Sequence, residues 1–257
     1  MTDRQIMIPG NSRRRFNYER RLLPNAHIAA LEPEVDQEWL RDRGELERLL
    51  SEPAESQLDK KRKRETSREV KARLLRGTEH SMGYPSWNLL YYILFSSLPV
   101  DLDDIVVVET GTNRGVSTIV MAQALKDLAL DTVVQTVDCD EGLVATARAN
   151  VEAAGLGEYV RFHVEDSLAF LSRLTAQVDH IDFAFIDDQH SYGHVVQEIS
   201  LVCPKVLGRR GKIYFDNTSS GGAAEALRFL RRQYGGNLVQ FDNCSGFPPG
   251  NAVWQPD

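Results

Sequence analysis

The sequence predicts an α/β fold built on a doubly wound, mostly parallel sheet, preceded by an N-terminal helical extension. The first observation is the stretch from Ile105 to Ser117, in which four β-branched apolar residues lead into Glu109 and a turn framed by Gly111 and Gly115. A helical pattern begins at Val116, so a strand, a glycine turn and a helix form the first crossover. The second observation is that later short strands, each ending in acidic residues, alternate with helices.

Length and composition limit the possible functions. The 257 residues suffice for one sizeable α/β domain with an extension, and the net charge of −7 argues against bulk binding to nucleic acid or membranes. Three widely spaced cysteines without a CxxC pair, and the lack of a signal-like or membrane-spanning apolar segment, favour a cytoplasmic location. We predict an arm, helical extension and lid over residues 1–98, and a ligand-binding domain over residues 99–257.

The extension contains two features with alternative readings. Residues 1–30 are rich in arginine and form either a surface-lying arm or an arm that closes over a partner subunit or the active site. Helical patterns over residues 34–51 and 57–76 follow. The second includes the basic run Lys60 to Arg64, which could bind phosphate or RNA, although nearby acids and the lack of interleaved aromatics favour a solvated helix face.

The remaining elements follow from apolar runs, helical periodicity and turn residues. A loop at residues 77–85 is a candidate lid, and the apolar helix from Trp87 to Leu98 must pack on the domain. Ser191 is a candidate N-cap for a helix with Val195, Val196, Ile199 and Val202 directed inward, and Gly221 and Gly222 form a hinge. The other predicted strands cover residues 133–140, 160–167, 181–186, 212–217, 238–243 and 251–255, and the other helices cover 142–154, 168–174 and 223–234.

Four ordered motifs resemble the S-adenosylmethionine-dependent class I methyltransferases. They are ETGTNRGVS, VDCD, LVATARANVEAAGL and VRFHVEDS, and the resemblance extends from Asp101 to the C-terminus. It implies a Rossmann-like, seven-stranded sheet that ends in an antiparallel hairpin, and S-adenosylmethionine as the cofactor. The turn spacing differs from the dinucleotide fingerprint GxGxxG.

The resemblance also implies a set of cofactor-binding residues. Those for the amino-acid end are Glu109, Gly111, Thr112, Asn113, Gly115 and Ser117. Asp138 is expected to bind the ribose beside Cys139, with Asp140 as the alternative, and Asp166 and Ser167 are expected to meet the adenine edge. Asp187 completes the set. Taken singly, Glu109 or Asp138 could equally be a helix-capping or surface acid.

Polar residues after the fourth and fifth strands predict a magnesium site. The fourth strand ends in FIDDQHSY and the fifth in FDN, so carboxylate and amide oxygens meet at one edge of the sheet. These motifs resemble the metal-dependent O-methyltransferases of the catechol type. The resemblance implies that Asp187, Asp216 and Asn217 bind the metal, and it places the general base, a lysine in that family, at His190.

Each of these assignments has a plain alternative. Asp216 and Asn217 could form a turn, and His190 could be an ordinary loop histidine. The DDQHSY stretch is closer to a broader set of bacterial methyltransferases in which metal use is less uniform. His194 is a weaker candidate for the base.

We therefore expect an O-methyltransferase, with Asp187 and His190 as catalytic residues, that acts on a hydroxyl of a sugar, polyketide or phenol. The alternatives are a metal-free RNA or protein methyltransferase that docks through the basic helix, and a non-catalytic cofactor-binding scaffold. Helical extensions of this length often pair subunits in related enzymes, so a homodimer is expected. A membrane partner is not expected, and nucleic acid is not the favoured partner.

Overall fold

A computed structural model describes residues 86–99, 102, 104–208, 211–218, 221–241 and 250–257. The arm and helices predicted over residues 1–76 and the candidate lid at 77–85 lie outside the described residues. The proposed domain boundary at residue 98 stays a prediction for the same reason.

The described residues form a seven-stranded sheet with the order β3-β2-β1-β4-β5-β7-β6. The first five strands in this order are parallel, and β7 is antiparallel to both β5 and β6. This arrangement confirms the predicted doubly wound sheet and its closing antiparallel hairpin. The strands are β1 Val107–Thr110, β2 Val134–Asp138, β3 Val160–Val164, β4 Phe183–Ile186, β5 Lys212–Asp216, β6 Asn237–Phe241 and β7 Asn251–Gln255.

Helices cover both faces of this sheet. They are α1 Ser86–Ser97, α2 Val116–Asp127, α3 Glu141–Ala153, α4 Ser167–Gln177, α5 Tyr192–Leu207 and α6 Gly221–Tyr234, with a short 3-10 turn at Gly157–Tyr159. Pro204 is accommodated within α5. In the described part of the chain, no helix combines the length and apolarity that a membrane span requires.

Alternating strand residues divide the apolar interior into two cores, because successive side chains of a strand point to opposite faces. In β4, Phe183 and Phe185 join the core beneath α1, α2 and α3, whereas Ala184 and Ile186 join the core beneath α4, α5 and α6. Both faces of the central strands are therefore buried. This burial explains why the strands appear in the sequence as continuous apolar runs.

The apolar helix α1 packs against α2. Leu90 and Leu94 are fully buried in the core on that face of the sheet. The Tyr91 hydroxyl donates a hydrogen bond to Asp127 Oδ2 at 2.5 Å, which adds a polar contact between the two helices. The prediction that this helix must pack on the domain is thus confirmed, with α2 as its neighbour.

Three local predictions were wrong. First, β1 starts at Val107 rather than at residue 105, because the Val106 N–H donates to the Asp182 carboxylate, and the strand continues through Glu109 instead of closing there. Second, Gly221 and Gly222 begin α6 and do not form a hinge before it. Third, the strands predicted over residues 133–140 and 160–167 end at Asp138 and Val164, because Asp140 and Asp166 cap the following helices. The predicted inward residues of α5 do pack against the core, with Val196 partly buried, and the same face also buries Glu198.

Candidate active site

The turn after β1 lies between the ends of β2 and β4. The N–H groups of Gly111 and Thr112 both donate to the Val137 carbonyl oxygen, at 2.9 and 3.1 Å. Gly111 has a φ of 86°, and a Cβ atom at this position would lie 2.3 Å from the Asp187 carbonyl oxygen. The turn is therefore in direct contact with the residues that follow β4, and it has no room for a side chain at position 111.

The rest of the turn leads tightly into α2. Asn113 has a φ of 47°, and Gly115, the N-cap residue of α2, has a φ of 85°. The Gly115 N–H donates to the Thr112 carbonyl oxygen at 2.9 Å. A Cβ on Gly115 would lie 3.1 Å from the Cβ of Ala147 in α3, so this glycine also permits close packing of the two helices.

Glu109 is fully buried and ties β1 to the first turn of α2. Its carboxylate accepts hydrogen bonds from the hydroxyl groups of Ser117 and Thr118, at 2.5 and 2.6 Å. Burial raises the pKa of Glu109 to about 7, against the lowering effect of its hydroxyl partners. The predicted cofactor residues Glu109 and Ser117 are thus in contact with each other.

Asp138 and Asp140 make different contacts. Asp138 is partly exposed, and its two oxygens accept from the N–H groups of Asn113 at 2.8 Å and Asp140 at 3.0 Å. Asp140 instead caps α3 by accepting from the Leu143 N–H at 3.0 Å. Asp138 therefore joins the β1 turn to the end of β2, while Asp140 has a helix-capping role. Cys139, between them, is an exposed free thiol.

The acid and the hydroxyl after β3 also differ in their partners. Asp166 is exposed and caps α4 by accepting from the Ala169 N–H at 2.9 Å. Ser167 is buried, and its hydroxyl donates to Asp188 Oδ2 at 2.6 Å. Ser167 thus contacts the β4–α5 loop.

The three predicted metal ligands lie together at the ends of β4 and β5. Asn217 Nδ2 donates to Asp187 Oδ1 at 2.9 Å. Asp216 Oδ1 accepts from Asn251 Nδ2 at 2.6 Å and from the Asn217 N–H at 2.8 Å. Asn217 has a left-handed φ of 56°, which asparagine tolerates better than most residues.

The two carboxyl groups of this set repel one another. Burial raises the pKa of Asp187 well above its usual range, and the nearby Asp216 charge raises it further. Burial also raises the pKa of Asp216 to about 6. Two desolvated carboxylates beside an amide group form a donor set that suits a hard divalent cation, which would relieve this repulsion. A cation between Asp187 and Asn217 would replace their hydrogen bond.

His190 lies in the β4–α5 loop, close to these ligands in sequence. Its ring forms no hydrogen bond with the described part of the chain, and burial lowers its pKa, although the charge of Asp188 opposes this effect. The loop packs tightly against α6, because a Cβ on Gly222 would lie 2.3 Å from the His190 carbonyl oxygen. His190 is therefore a neutral imidazole on a closely packed loop near neutral pH.

A second polar cluster lies beside this loop, and we did not predict it as a unit. His194 Nε2 is 3.1 Å from Asp188 Oδ2 and 3.9 Å from Glu198 Oε1. The one available signal was that His194 and Glu198 are four residues apart, which places them on one face of a helix. The sequence alone could not show that Asp188 and Ser167 meet the same face.

Comparisons with known proteins agree with the fold. Residues 108–218 match the family described as methyltransferase domain. No curated protein is similar enough in sequence to be matched.

Solved structures share the fold at low sequence identity. An O-methyltransferase from Bacillus cereus in complex with SAH has a TM-score of 0.53 and 17% identity, covering 91% of this chain and 96% of that one. Cofactor-bound Rv0187 from MTB has a TM-score of 0.54 and 20% identity, with 86% and 98% covered. The O-methyltransferase TomG from Streptomyces achromogenes, involved in tomaymycin synthesis and bound to SAM, has a TM-score of 0.52 and 14% identity, with 91% and 96% covered.

Proposed function

We propose that this chain is an O-methyltransferase that uses S-adenosylmethionine to methylate a hydroxyl group of a small molecule. The match of residues 108–218 to the family described as methyltransferase domain, and the strand order of the sheet, support this proposal. The observation that carries the proposal is the convergence of acidic side chains around the Gly111 turn, at the carboxyl edge of the parallel sheet. In open α/β sheets this edge is where ligands bind.

The cofactor would lie along the ends of β1, β2 and β3. Asp138 supports this position, because two backbone N–H groups orient its partly exposed carboxylate, which could accept hydrogen bonds from a ribose diol. The turn at Gly111 would bring backbone close to the amino-acid end of the cofactor, while Glu109, with Ser117 and Thr118, fixes the start of α2 beneath it. Asp166 and Ser167 would lie toward the adenine.

A divalent cation such as Mg²⁺ would be held by Asp187, Asp216 and Asn217. Burial and the charge of the neighbouring Asp216 both raise the pKa of Asp187, and this pair of desolvated carboxyl groups supports the assignment. When bound, the cation would supply positive charge that orients the acceptor hydroxyl and favours its ionised form.

His190 is our candidate for the general base. In methyl transfer, the acceptor oxygen bonds to the methyl carbon as the carbon–sulfur bond breaks, and the hydroxyl proton must pass to a base. Burial lowers the pKa of His190, so the imidazole is neutral and able to accept this proton near pH 7. The backbone of its loop packs against α6, which limits the movement of His190 between turnovers.

The substrate class follows from this proposed chemistry. A base combined with a cation is most useful for an oxygen acceptor, so we propose a hydroxyl of a sugar, polyketide or phenolic compound. The solved structures named above include O-methyltransferases, one of which is involved in tomaymycin synthesis, and this supports the choice.

The assembly and location are also proposals. The free thiols Cys139 and Cys203 are consistent with a reducing cytoplasm. A homodimer would use the segment before α1, and sedimentation velocity with and without residues 1–85 would test it.

Isothermal titration calorimetry provides the test of this function. S-adenosylmethionine would be titrated into the wild-type protein with and without Mg²⁺, and Mg²⁺ would be titrated separately. We expect cofactor binding and a separate Mg²⁺ signal that is lost in Asp216→Asn. The matched control is Asp179→Asn, which removes the same charge from an exposed loop before β4, at the opposite edge of the sheet.

Two outcomes would contradict parts of the proposal. Cofactor binding without a Mg²⁺ signal would contradict the proposed cation site. Mg²⁺ binding in Asp216→Asn equal to that of the wild type would contradict it too. The absence of cofactor binding in the wild-type protein would contradict the methyl-transfer function itself.

A further inference from the structure

A second group of potential metal ligands lies between the start of α4 and the first turns of α5. It consists of Asp188, His194 and Glu198, and one ligand atom from each lies within 4.8 Å of the other two. Ser167 borders the group, with its hydroxyl 2.6 Å from Asp188 Oδ2 and 3.1 Å from His194 Nε2. We call these four residues the His194 cluster. None of them belongs to the Mg²⁺ set proposed above.

Glu198 is the unusual member of the His194 cluster. Its side chain has no exposed surface, and neither carboxylate oxygen accepts a hydrogen bond of ordinary geometry within the described part of the chain. Burial raises the pKa of Glu198 to about 8, although the Thr110 hydroxyl offsets part of this effect. A buried carboxyl group without a partner is costly, so its retention needs an explanation.

His194 does not provide the hydrogen bond that the buried Glu198 carboxyl group lacks. The imidazole Nε2 carries at most one proton, and Asp188 Oδ2 is closer to it, at 3.1 Å, than Glu198 Oε1, at 3.9 Å. The longer distance exceeds that of a hydrogen bond. The Ser167 hydroxyl already donates to Asp188. The proton donors of the His194 cluster are therefore directed to Asp188, and neither of them satisfies Glu198.

We propose that Asp188, His194 and Glu198 bind one divalent transition-metal ion of the zinc type. In a tetrahedral site with bonds of about 2.0–2.1 Å, ligand atoms are separated by about 3.3 Å. The separations of 3.1 and 3.9 Å from His194 Nε2 bracket this value, so small side-chain movements complete the geometry. The Ser167 oxygen or a water molecule would take the fourth position.

The donor types select the metal. One imidazole nitrogen with two carboxylates suits Zn²⁺, Co²⁺ or Fe²⁺ better than Mg²⁺, which prefers an all-oxygen shell. The spacing of His194 and Glu198, one helical turn apart, presents both ligands on one face of α5.

The ion would have a structural effect. It would take the place of the proton on the buried Glu198 carboxyl group and join the β4–α5 loop, which carries His190, to α5. This site does not depend on methyl transfer.

The test measures binding of Co²⁺ and Zn²⁺ to the full-length protein after treatment with a chelator. Visible absorption reports on the Co²⁺ coordination sphere, and equilibrium dialysis gives the stoichiometry and affinity for Zn²⁺. We expect one equivalent of either ion to bind. His194→Gln and Glu198→Gln should each weaken binding by more than about 100-fold, since loss of a ligand exceeds the effect of an outer-shell change.

Matched controls separate this site from others. His180 also lies near two acids, Asp104 at 3.8 Å and Asp182 at 3.4 Å, but on the opposite edge of the sheet, so His180→Gln should bind Zn²⁺ as the wild type does. Asp216→Asn should also retain binding. Circular dichroism confirms that each variant is folded, and Zn²⁺ should raise the Tm of the wild type but not of Glu198→Gln.

Three results would overturn the proposal. They are the absence of Zn²⁺ and Co²⁺ binding to the wild-type protein, equal binding in folded His194→Gln and Glu198→Gln, and loss of binding in Asp216→Asn. The last result would place the ion in the Mg²⁺ set.

Discussion

Replacement of Gly111 by alanine tests the close contact between the β1 turn and the end of β4. A Cβ at this position would lie 2.3 Å from the Asp187 carbonyl oxygen, whereas ordinary contacts begin at 3.4 Å. The φ of 86° adds left-handed strain of about 1–2 kcal/mol, and the steric overlap adds about 1–3 kcal/mol. We therefore expect Gly111→Ala to lose about 2–5 kcal/mol, or about 4–20 °C in Tm.

Gly155→Ala is the matched control. Gly155 also has a positive φ, of 67°, but a Cβ there would meet nothing within 4 Å. This variant should show only the conformational strain, about 1–2 kcal/mol. Urea unfolding of both variants gives the two stabilities, and calorimetry well below each Tm gives the affinity for S-adenosylmethionine, which should fall only in Gly111→Ala. Equal losses of stability, or unchanged cofactor affinity in Gly111→Ala, would refute the argument.

Three further predictions concern the same edge of the sheet. Burial raises the pKa of Glu109 from its ordinary value of 4.5 to about 7 in the folded state. Between these two pH values, the carboxyl group is therefore protonated in the folded state and ionised in the unfolded state. As pH rises from 4.5 to 7, Glu109 lowers the free energy of unfolding by up to about 3 kcal/mol. Glu109→Gln should remove this pH-dependent loss, which urea unfolding across the same pH range would measure. His190→Ala should lower kcat about 10²–10⁴-fold with unchanged cofactor affinity, measured by release of S-adenosylhomocysteine. In the same assay, the kcat of the wild type should fall with decreasing pH only below a pH of about 6.5. Gly222→Ala should lower kcat because its Cβ would displace the His190 loop, whereas Gly221→Ala, with open space around it, should leave kcat unchanged.

The fold was predictable because strands that are buried on both faces have continuous apolar sequences. Strands such as β4 are short apolar runs, and helices such as α5 show a periodic apolar face. The ends of elements were less predictable, because they depend on contacts between distant residues. Val106, for example, gives its N–H to Asp182, which lies 76 residues further along the chain, and this shifts the start of β1.

The candidate site was predictable at the level of which strand ends meet. The ambiguity between Asp138 and Asp140 could not be resolved from sequence, because both acids follow β2 and only the backbone path shows which one caps α3. Glu198 was missed for a different reason. Helical periodicity gives the direction of a side chain but not the depth at which it is buried.

The contact of Gly111 with the Asp187 carbonyl oxygen would link the proposed cofactor and cation sites thermodynamically. The turn that would receive the cofactor and the residue that would ligate the cation cannot move independently, since no space separates their backbones. A ligand that stabilises one arrangement of this contact changes the affinity for the other ligand, and the change is equal in both directions. One glycine and one carbonyl group would thus carry the coupling between the two proposed sites.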